Sequence, residues 1–552
     1  MDNIYTVGDY LLDRLSFSGI AELFGVPGDY NLKFLDSVIN HQQITWVGCT
    51  NELNAAYGAD GYARTKGIGA LLTTFGVGEL SALNGIAGSF AEYVPVIHIV
   101  GSPALTSQRK GELMHHTLGD GNFGHFMRMS QPVSVAQAAL TPENALSEID
   151  RVIEEVIYHS RPGYILLPSD VAALPVTTRA HALPARQPPF SPSSLEAFVA
   201  AAETQLRDAR RVSLLADFLA DRFDLKAALE EWMEEVPLPH ATLLMGKGLF
   251  NEQQTNFAGT YSGAGSAAST REAIEGADVV INVGVKFTDT ITAGFTQQLP
   301  DGKCIDLQPF SARVGDQIFH QLPMAKTVSV LHRLTAELAS GWQPYPVKRT
   351  ALPASHEGHF GQYEFWQQIQ DFLQPGDILV AEQGTACFGA AALNLPEDCQ
   401  FVVQPLWGSI GFTLPAAFGV QIAAPARRVV LLIGDGSAQL TLQGLGAAIR
   451  YGLPPVIFVI NNDGYTVERA IHGETQRYND IAQWNWTQFP SAFGGNDVFT
   501  ARADSPQALK EAIEKAGAHR QMAWIEVVLP KMDIPELLSS VTKSLAKRNS
   551  GQ

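Results

Sequence analysis

Cysteine is scarce: the 552 residues include only Cys49, Cys304, Cys387 and Cys399. None has the spacing of a metal-ligand pair, and four in so long a chain make no disulfide framework, so the composition reads as a reduced, cytoplasmic protein. Charged residues are also few, 17%, while apolar residues reach 46%. That balance argues against disorder and for large cores. Basic residues are in deficit, 38 against 56 acidic, for a formal net charge of −18. A field of that sign repels polyanions, which excludes nucleic acid and anionic membrane as expected partners. No apolar run approaches the ~18 residues of a membrane span. The opening MDNIYTVGDYLLDRLSFSGI is interrupted by acidic residues and has no basic stretch before an apolar core, unlike a secretion signal.

Proline is concentrated in two stretches, Pro175 to Pro192 and Trp342 to Pro353, which lack helical or strand periodicity and read as linkers. They suggest three domains, at 1–178, 193–341 and 355–552, each of ordinary size. All three alternate short β-branched runs with longer helical patterns. Strands are predicted at Gly69–Phe75, Pro95–Val100, Val279–Val283, Arg428–Ile433 and Val456–Ile460. The expected class is α/β, each domain a mainly parallel sheet flanked by helices. The first and third segments share a unit. Strand ALLTTF meets Gly76-Val77-Gly78, a helix, then Pro95 and strand VIHIV; strand RVVLLI meets Gly434-Asp435-Gly436, a helix, then Pro455 and strand VIFVI. The intervals from first glycine to proline are 19 and 21 residues, which suggests that these domains are related by duplication.

The two copies differ where chemistry would sit. Only the third has Asp435 between its glycines and Asn461-Asn462 after its second strand; the first has Val77 and Gly101-Ser102. Neighbouring parallel strands place both C-terminal ends on one sheet edge, where α/β ligands bind. Glycines let backbone approach a phosphate, and a helix N-terminus offers free N–H donors. An Asp carboxylate and an Asn carbonyl are hard oxygen ligands suited to Mg²⁺ with diphosphate oxygens and water. A lone GDG is weak evidence. GDG followed after 24 intervening residues by NN is the signature of thiamine-diphosphate enzymes.

Other candidates are individually ambiguous. Glu52 opens ELNAAYGADGYAR after the strand ITWVGC, where any carboxylate is favoured by the helix dipole. Asp29 lies in the turn of FGVPGDYN, where Asp commonly bonds locally. His115-His116, in GELMHHTLGDG, are either a solvated loop pair or proton-transfer groups tuned near neutral pH. Glu468, six residues past Asn462 on a short helix ended by Gly473, is either a surface glutamate or an acid–base group.

From TVGDYLLDRL to the C-terminal helical stretch, the chain resembles the pyruvate/indolepyruvate decarboxylase branch of thiamine-diphosphate enzymes, most closely the indolepyruvate, phenylpyruvate and branched-chain 2-oxo acid decarboxylases. The resemblance implies a pyrimidine-binding domain, a middle domain and a diphosphate-binding domain in that order. It assigns pyrimidine binding to the Glu of NELNA, Glu52, and acid–base work to Asp29, His115, His116 and Glu468. Glu468, desolvated beside Asp29, is expected to share protons with it. Mg²⁺ falls to Asp435, Asn462 and Gly464. Cofactor contacts fall to Glu52, Thr385, Gly408, Ile410, Gly434, Asp435, Gly436, Ser437, Asn462, Gly464, Tyr465 and Thr466. Within QPLWGSIG, the Gly408 carbonyl is implied to accept from the cofactor amino group and the Ile410 side chain to wedge the cofactor bent.

The implied reaction is non-oxidative decarboxylation of a 2-oxo acid to an aldehyde and CO2. Acetolactate-synthase-like carboligases lack the His pair in this context, which favours simple aldehyde release. The substrate pocket maps onto Thr290, Gln383, Cys387, Phe388, Val467, Val541 and Leu545, each of which also reads as an ordinary core contact. Cys387 is small where branched-chain enzymes put an aromatic, which favours indolepyruvate or phenylpyruvate over branched-chain acids and over pyruvate. The family assembles homodimers with shared active sites that often pair into homotetramers. Two further readings are weaker. A binding protein without turnover would have lost the acid–base set, and a nicotinamide dehydrogenase needs a GxGxxG that Ser81 interrupts.

Overall fold

The computed structural model describes residues 4–343, 346–347, 360–519 and 521–549. Most of the second proline-rich stretch, residues 344–345 and 348–353, lies outside the described residues. The first runs without helix or strand from 176 until Pro192 opens the helix Pro192–Arg207.

Nineteen strands among the described residues form three sheets. The first contains β1 (Glu22–Gly25), β2 (Thr45–Gly48), β3 (Gly69–Thr74), β4 (Val96–Ser102), β5 (Ala136–Ala139) and β6 (Gly163–Pro168). The middle one contains β7 (Val212–Ala216), β8 (His240–Thr242), β9 (Phe257–Thr260), β10 (Val279–Val283), β11 (Cys304–Gln308), β12 (Ser311–Val314) and β13 (Gln317–His320). The third contains β14 (Ile378–Ala381), β15 (Gln400–Val402), β16 (Val429–Gly434), β17 (Val456–Asn461), β18 (Phe499–Ala503) and β19 (Ala523–Val528).

The outer sheets are wholly parallel and share one topology, as duplication requires: β2-β1-β3-β4-β6-β5 in the first and β15-β14-β16-β17-β19-β18 in the third. Their central strands are buried along nearly their whole length, because helices cover both faces of a parallel sheet; hence the continuous apolar runs GALLTT and VVLLI. The middle sheet runs β13-β12-β11-β10-β7-β8-β9, parallel except for an antiparallel edge formed by β12 and β13.

The cores do not stop at segment boundaries. Phe24, Tyr57 and Tyr62 of the first segment share one apolar cluster with Phe412, Phe418 and Trp524 of the third. Leu215 and Tyr261 of the middle segment share another with Phe365, Cys387 and Phe388. The first and third segments meet through the helices Glu52–Lys66 and Thr413–Ala423. Backbone touches backbone there: a Cβ on Gly61 would lie 2.2 Å from the Ala416 carbonyl oxygen, and one on Gly419 would lie 1.9 Å from that of Gly58. Only glycine allows this approach, and it fixes how the two sheets' functional edges are offset within one chain.

Candidate active site

Two clusters lie at the C-terminal edges of the outer sheets. In the third, Gly434 pairs in register with Ile460, so Asp435 and Asn462 emerge from adjacent strand ends. Asp435 opens the helix Asp435–Thr441. Its Oδ1 accepts from the Gly436 N–H at 2.8 Å and its Oδ2 from the Gly464 N–H at 3.0 Å, tying the two loops together. Asp435 and Asn462 are buried. Burial pushes the Asp435 carboxyl up to about 6 against the lowering effect of those two amides. A buried carboxylate, a buried carboxamide and the Gly464 carbonyl make a hard-oxygen donor set that fits Mg²⁺.

The glycines of this edge have separate causes. Gly464 has φ +115°, and a Cβ there would lie 2.4 Å from the Asn479 carbonyl oxygen. Gly434, by contrast, has ordinary extended backbone, and a Cβ there would meet nothing within 4 Å. That open space, beside Ser437 and the helix start, fits a diphosphate. Thr466 is buried, its hydroxyl donating to the Lys531 carbonyl at 2.8 Å, and Tyr465 packs over Gly436.

In the first sheet, the loops after β1 and β4 bring Asp29, His115 and His116 together. His115 Nε2 lies 2.7 Å from Asp29 Oδ2 and His116 Nε2 lies 3.9 Å from Asp29 Oδ1. The Tyr30 ring stacks on His115 at 4.9 Å, and its hydroxyl lies 3.2 Å from His115 Nδ1, so the imidazole is held from two sides. His116 adopts φ +61°, and its carbonyl sits where a Cβ on Gly76 would intrude at 2.0 Å. Gly76 N–H is in turn held by buried Glu79 at 2.8 Å, which also accepts from Tyr164 at 2.7 Å. Burial pushes Glu79 up to about 7. Glu52 begins its helix behind the cap Asn51, whose side chain accepts from Asn54 N–H at 2.8 Å; the Glu52 side chain approaches Gly78.

One expectation is not met within the chain. Glu468, on the helix Thr466–Ile471, is exposed, and so is Asp29. They are not desolvated beside one another within the single chain.

The segment Gln404–Thr413 carries Gly408, with φ +65°, and Ile410. The remaining candidates surround it or lie beneath it. Thr290 donates its hydroxyl to the Pro405 carbonyl at 3.2 Å. Thr385, Cys387 and Phe388 are buried on the helix Thr385–Ala390, and the Cys387 thiol faces Gln383 Oε1 at 3.4 Å. Burial pushes that thiol up to about 12. Val541 is buried and Leu545 half-buried on the C-terminal helix Glu536–Asn549, in one cluster with Val467, Cys387 and Phe388. Sequence reasoning missed Glu79, Tyr30 and Glu382. Glu79 had a signal, an acid three residues after a helix-opening glycine; the others act across the fold.

Three family models match the chain in order. They are the thiamine pyrophosphate enzyme N-terminal TPP binding domain at residues 5–121, its central domain at 199–334 and its C-terminal TPP binding domain at 382–527. An alpha-keto-acid decarboxylase of Mycobacterium bovis is 49% identical over 551 residues, covering 99% of this chain and 98% of its own. One of Mycobacterium leprae is 46% identical over 553 residues, covering 100% and 97%. The chain belongs to the thiamine-diphosphate-dependent 2-oxo acid decarboxylases. The solved structure of a thiamine diphosphate-dependent 4-hydroxybenzoylformate decarboxylase from Rhodococcus jostii RHA1 shares the fold, with TM-score 0.77 at 20% identity over 95% of this chain and 99% of that one. The chain is therefore a carboxy-lyase acting on 2-oxo acids with thiamine diphosphate. No helix among the described residues is long and apolar enough to cross a membrane.

Proposed function

We propose that this decarboxylase converts indolepyruvate, phenylpyruvate or both to the corresponding arylacetaldehyde and CO2, with Mg²⁺ as the cation of its cofactor. The carrying observation is the presence of a buried oxygen-ligand edge, Asp435 with Asn462, and an acid–base cluster of exposed Asp29 and His115 with half-buried His116. When bound, thiamine diphosphate supplies the electron sink that allows the bond to the departing carboxylate to break. The chain's own residues do the rest. Asp435, Asn462 and the Gly464 carbonyl hold the cation, with Gly434, Gly436 and Ser437 around the diphosphate. Thr385, Tyr465 and Thr466 complete the cofactor contacts. Gly408 and Ile410 orient the aminopyrimidine, and Glu52 holds its ring nitrogen. Asp29, His115, His116 and Glu468 move protons and receive the substrate carboxylate. His115 is oriented for this by Tyr30 and Asp29, as a proton donor needs a fixed tautomer and direction.

Asp29 and Glu468 are both open to water in the single chain, and proton transfer at a reacting carbon favours a closed site. A homodimer, in which one chain's first-sheet edge covers the other's third-sheet edge, supplies that closure. The three domains at 1–178, 193–341 and 355–552 are the units of this assembly. Substrate choice is assigned to Cys387, a small side chain beside Gln383 and in one apolar cluster with Val467, Val541 and Leu545, with Thr290 as a further pocket residue. The test is a panel of 2-oxo acids with thiamine diphosphate and Mg²⁺, scored by free aldehyde. Indolepyruvate or phenylpyruvate should give the highest kcat/KM. A branched-chain acid ahead of both would overturn the substrate reading, and a coupled hydroxyketone as main product would make the chain a carboligase.

A further inference from the structure

The segment Gln404–Thr413 is where all three parts of the chain converge, and two buried carboxylates bracket it. Glu92, from the first segment, accepts from the N–H groups of Leu406 and Trp407 at 3.0 and 3.3 Å through one oxygen. Its other oxygen takes the Arg64 guanidinium at 2.7 Å, and Arg64 also bonds Asp60 at 2.6 Å and the Val403 carbonyl at 3.0 Å. Glu382, at the end of β14, works from the other side. Its Oε2 accepts from Gly411 N–H and Thr413 N–H, both at 3.2 Å, and from the Thr413 hydroxyl at 2.6 Å. Its Oε1 accepts from Gln383 N–H at 3.0 Å. Gly408, Ser409 and Ile410 lie between the two anchors.

These carboxylates do not serve ordinary packing. Both Glu92 and Glu382 are fully buried, and an ionised carboxylate without water is retained only when its lone pairs are filled. Here donors from the 404–413 segment fill them, together with Arg64 on Glu92 and Gln383 N–H on Glu382. Burial raises the Glu92 carboxyl, opposed by Arg64; burial pushes Glu382 up to about 7, opposed by Thr413, Gln383 and Gly411. Four donors converging on Glu382 also make the site specific to an acid, since a carboxamide would turn an NH2 group toward N–H and O–H donors.

We propose that Glu92 and Glu382 are positioning residues which, from two different sheets, fix the backbone on either side of Gly408–Ile410 and so set the reach of the Gly408 carbonyl and the Ile410 side chain toward the cofactor aminopyrimidine. This rests on the role given above to Gly408 and Ile410. Neither carboxylate touches the cofactor; each acts through the loop it holds. Arg64 and Asp60 extend the same bracket into the helix that Glu52 begins, which in the proposed homodimer faces the other site.

The test uses full-length Glu92→Gln and Glu382→Gln. Three quantities are read: amide hydrogen exchange of peptides covering 404–413 in cofactor-free protein, thiamine diphosphate affinity at saturating Mg²⁺, and inorganic pyrophosphate affinity at the same Mg²⁺. Each variant should speed exchange in that segment and weaken thiamine diphosphate by about tenfold, the scale of a lost hydrogen bond to a charged group. Pyrophosphate, which reaches only the Asp435 end, should bind as to the parent. That split separates positioning from general destabilisation, which would weaken both ligands. Unchanged exchange, or equal loss of both ligands, overturns the proposal. Faster exchange with undiminished thiamine diphosphate affinity instead overturns the cofactor role of Gly408 and Ile410. Should a glutamine variant fail to fold, Thr413→Val removes one hydroxyl donor to Glu382 and should give the same split at about threefold; no split there counts against the proposal.

Discussion

Gly434→Val separates a cofactor cradle from a structural turn more cleanly than removal of a metal ligand. Gly434 has φ −71° and ψ 153°, open to any L-residue, and a Cβ there meets nothing within 4 Å. Replacing glycine at the end of a strand recovers ~0.5–1 kcal/mol of chain entropy. Losing glycine as the helix cap costs up to ~1 kcal/mol. The cofactor-free variant should therefore keep its thermal midpoint within a few degrees. If the diphosphate lies in that space, the valine methyl groups occupy its position. Overpacking of this kind costs ~1–3 kcal/mol, which weakens thiamine diphosphate by roughly 10–100-fold at ~1.4 kcal/mol per tenfold.

The assay is calorimetric titration of thiamine diphosphate at saturating Mg²⁺, beside the thermal midpoint of the cofactor-free protein. Gly464→Ala is the contrasting control, because φ +115° and a 2.4 Å approach to the Asn479 carbonyl make it lose stability and binding together. Parental affinity in stable Gly434→Val would refute the placement of the diphosphate over Gly434. A large fall in its cofactor-free midpoint would show that the glycine is needed for the turn instead.

Four further outcomes are expected. Glu52→Gln should retain cofactor and Mg²⁺ but slow deuterium exchange at the cofactor C2 position; an unchanged rate removes Glu52 from the proton path. Mixing inactive Glu52→Ala and Asp435→Ala chains should restore part of the activity, since one site of each hybrid dimer escapes both lesions; failure despite verified subunit exchange places each site within one chain. Cys387→Phe should lower kcat/KM for indolepyruvate relative to 2-oxobutyrate by ~10–100-fold, while a uniform loss for both acids makes Cys387 a core residue. Asp217, buried at the end of β7, has its carboxyl pushed up to about 8 chiefly by burial, so the folded chain keeps a proton there that the unfolded chain releases near pH 4. Stability is thus lost as pH rises from about 4 to 8, and the advantage of Asp217→Asn over the parent should grow by roughly 1–3 kcal/mol between pH 5 and pH 8; a pH-independent difference in unfolding midpoint refutes this.

The sequence was most legible where one short motif and one parallel register suffice. The Gly434–Gly436 turn and Asn462 needed only adjacent strands, and the in-register pair Gly434 and Ile460 supplies them. Strand ends moved by one or two residues. β4 begins at Val96 because Pro95 has no N–H for the ladder and contributes only its carbonyl, to Gly69 N–H at 3.0 Å. β16 begins at Val429, one residue after Arg428, whose carbonyl accepts from Ile378 N–H at 2.9 Å and whose side chain reaches Asp377 at 2.6 Å. The antiparallel hairpin of β12 and β13 had a visible signal, Gly315-Asp316 between two short strands with Gly315 at φ +56°. It is masked by the βα pattern of everything before it.

The long-range polar contacts that bracket residues 404–413 were not legible. Glu92 and Leu406 are 314 residues apart, and nothing in the runs around either marks a partner. The exposure of Glu468 in the single chain has a related reason. Desolvation of Glu468 is a property of what faces it, and the sheet edge that would face it is not fixed by any spacing within one segment.

The distribution of constraint over the site follows the same division. Groups assigned to hold the cofactor are locked by burial and by many partners: Asp435 between two amides, and Gly408 between two bracketing carboxylates. Of the groups assigned to move protons, Asp29, His115 and His116 sit on loops held chiefly by one another and Tyr30, and Glu468 lies exposed on a short helix. A binding edge must be preorganised before the ligand arrives, because every hydrogen bond it lacks is subtracted from affinity. A proton-transfer cluster gains its low-dielectric surroundings only when the site closes, so its loops stay solvated until a second surface covers them. One chain can build the first kind of site alone. Completing the second is what the proposed homodimer would supply.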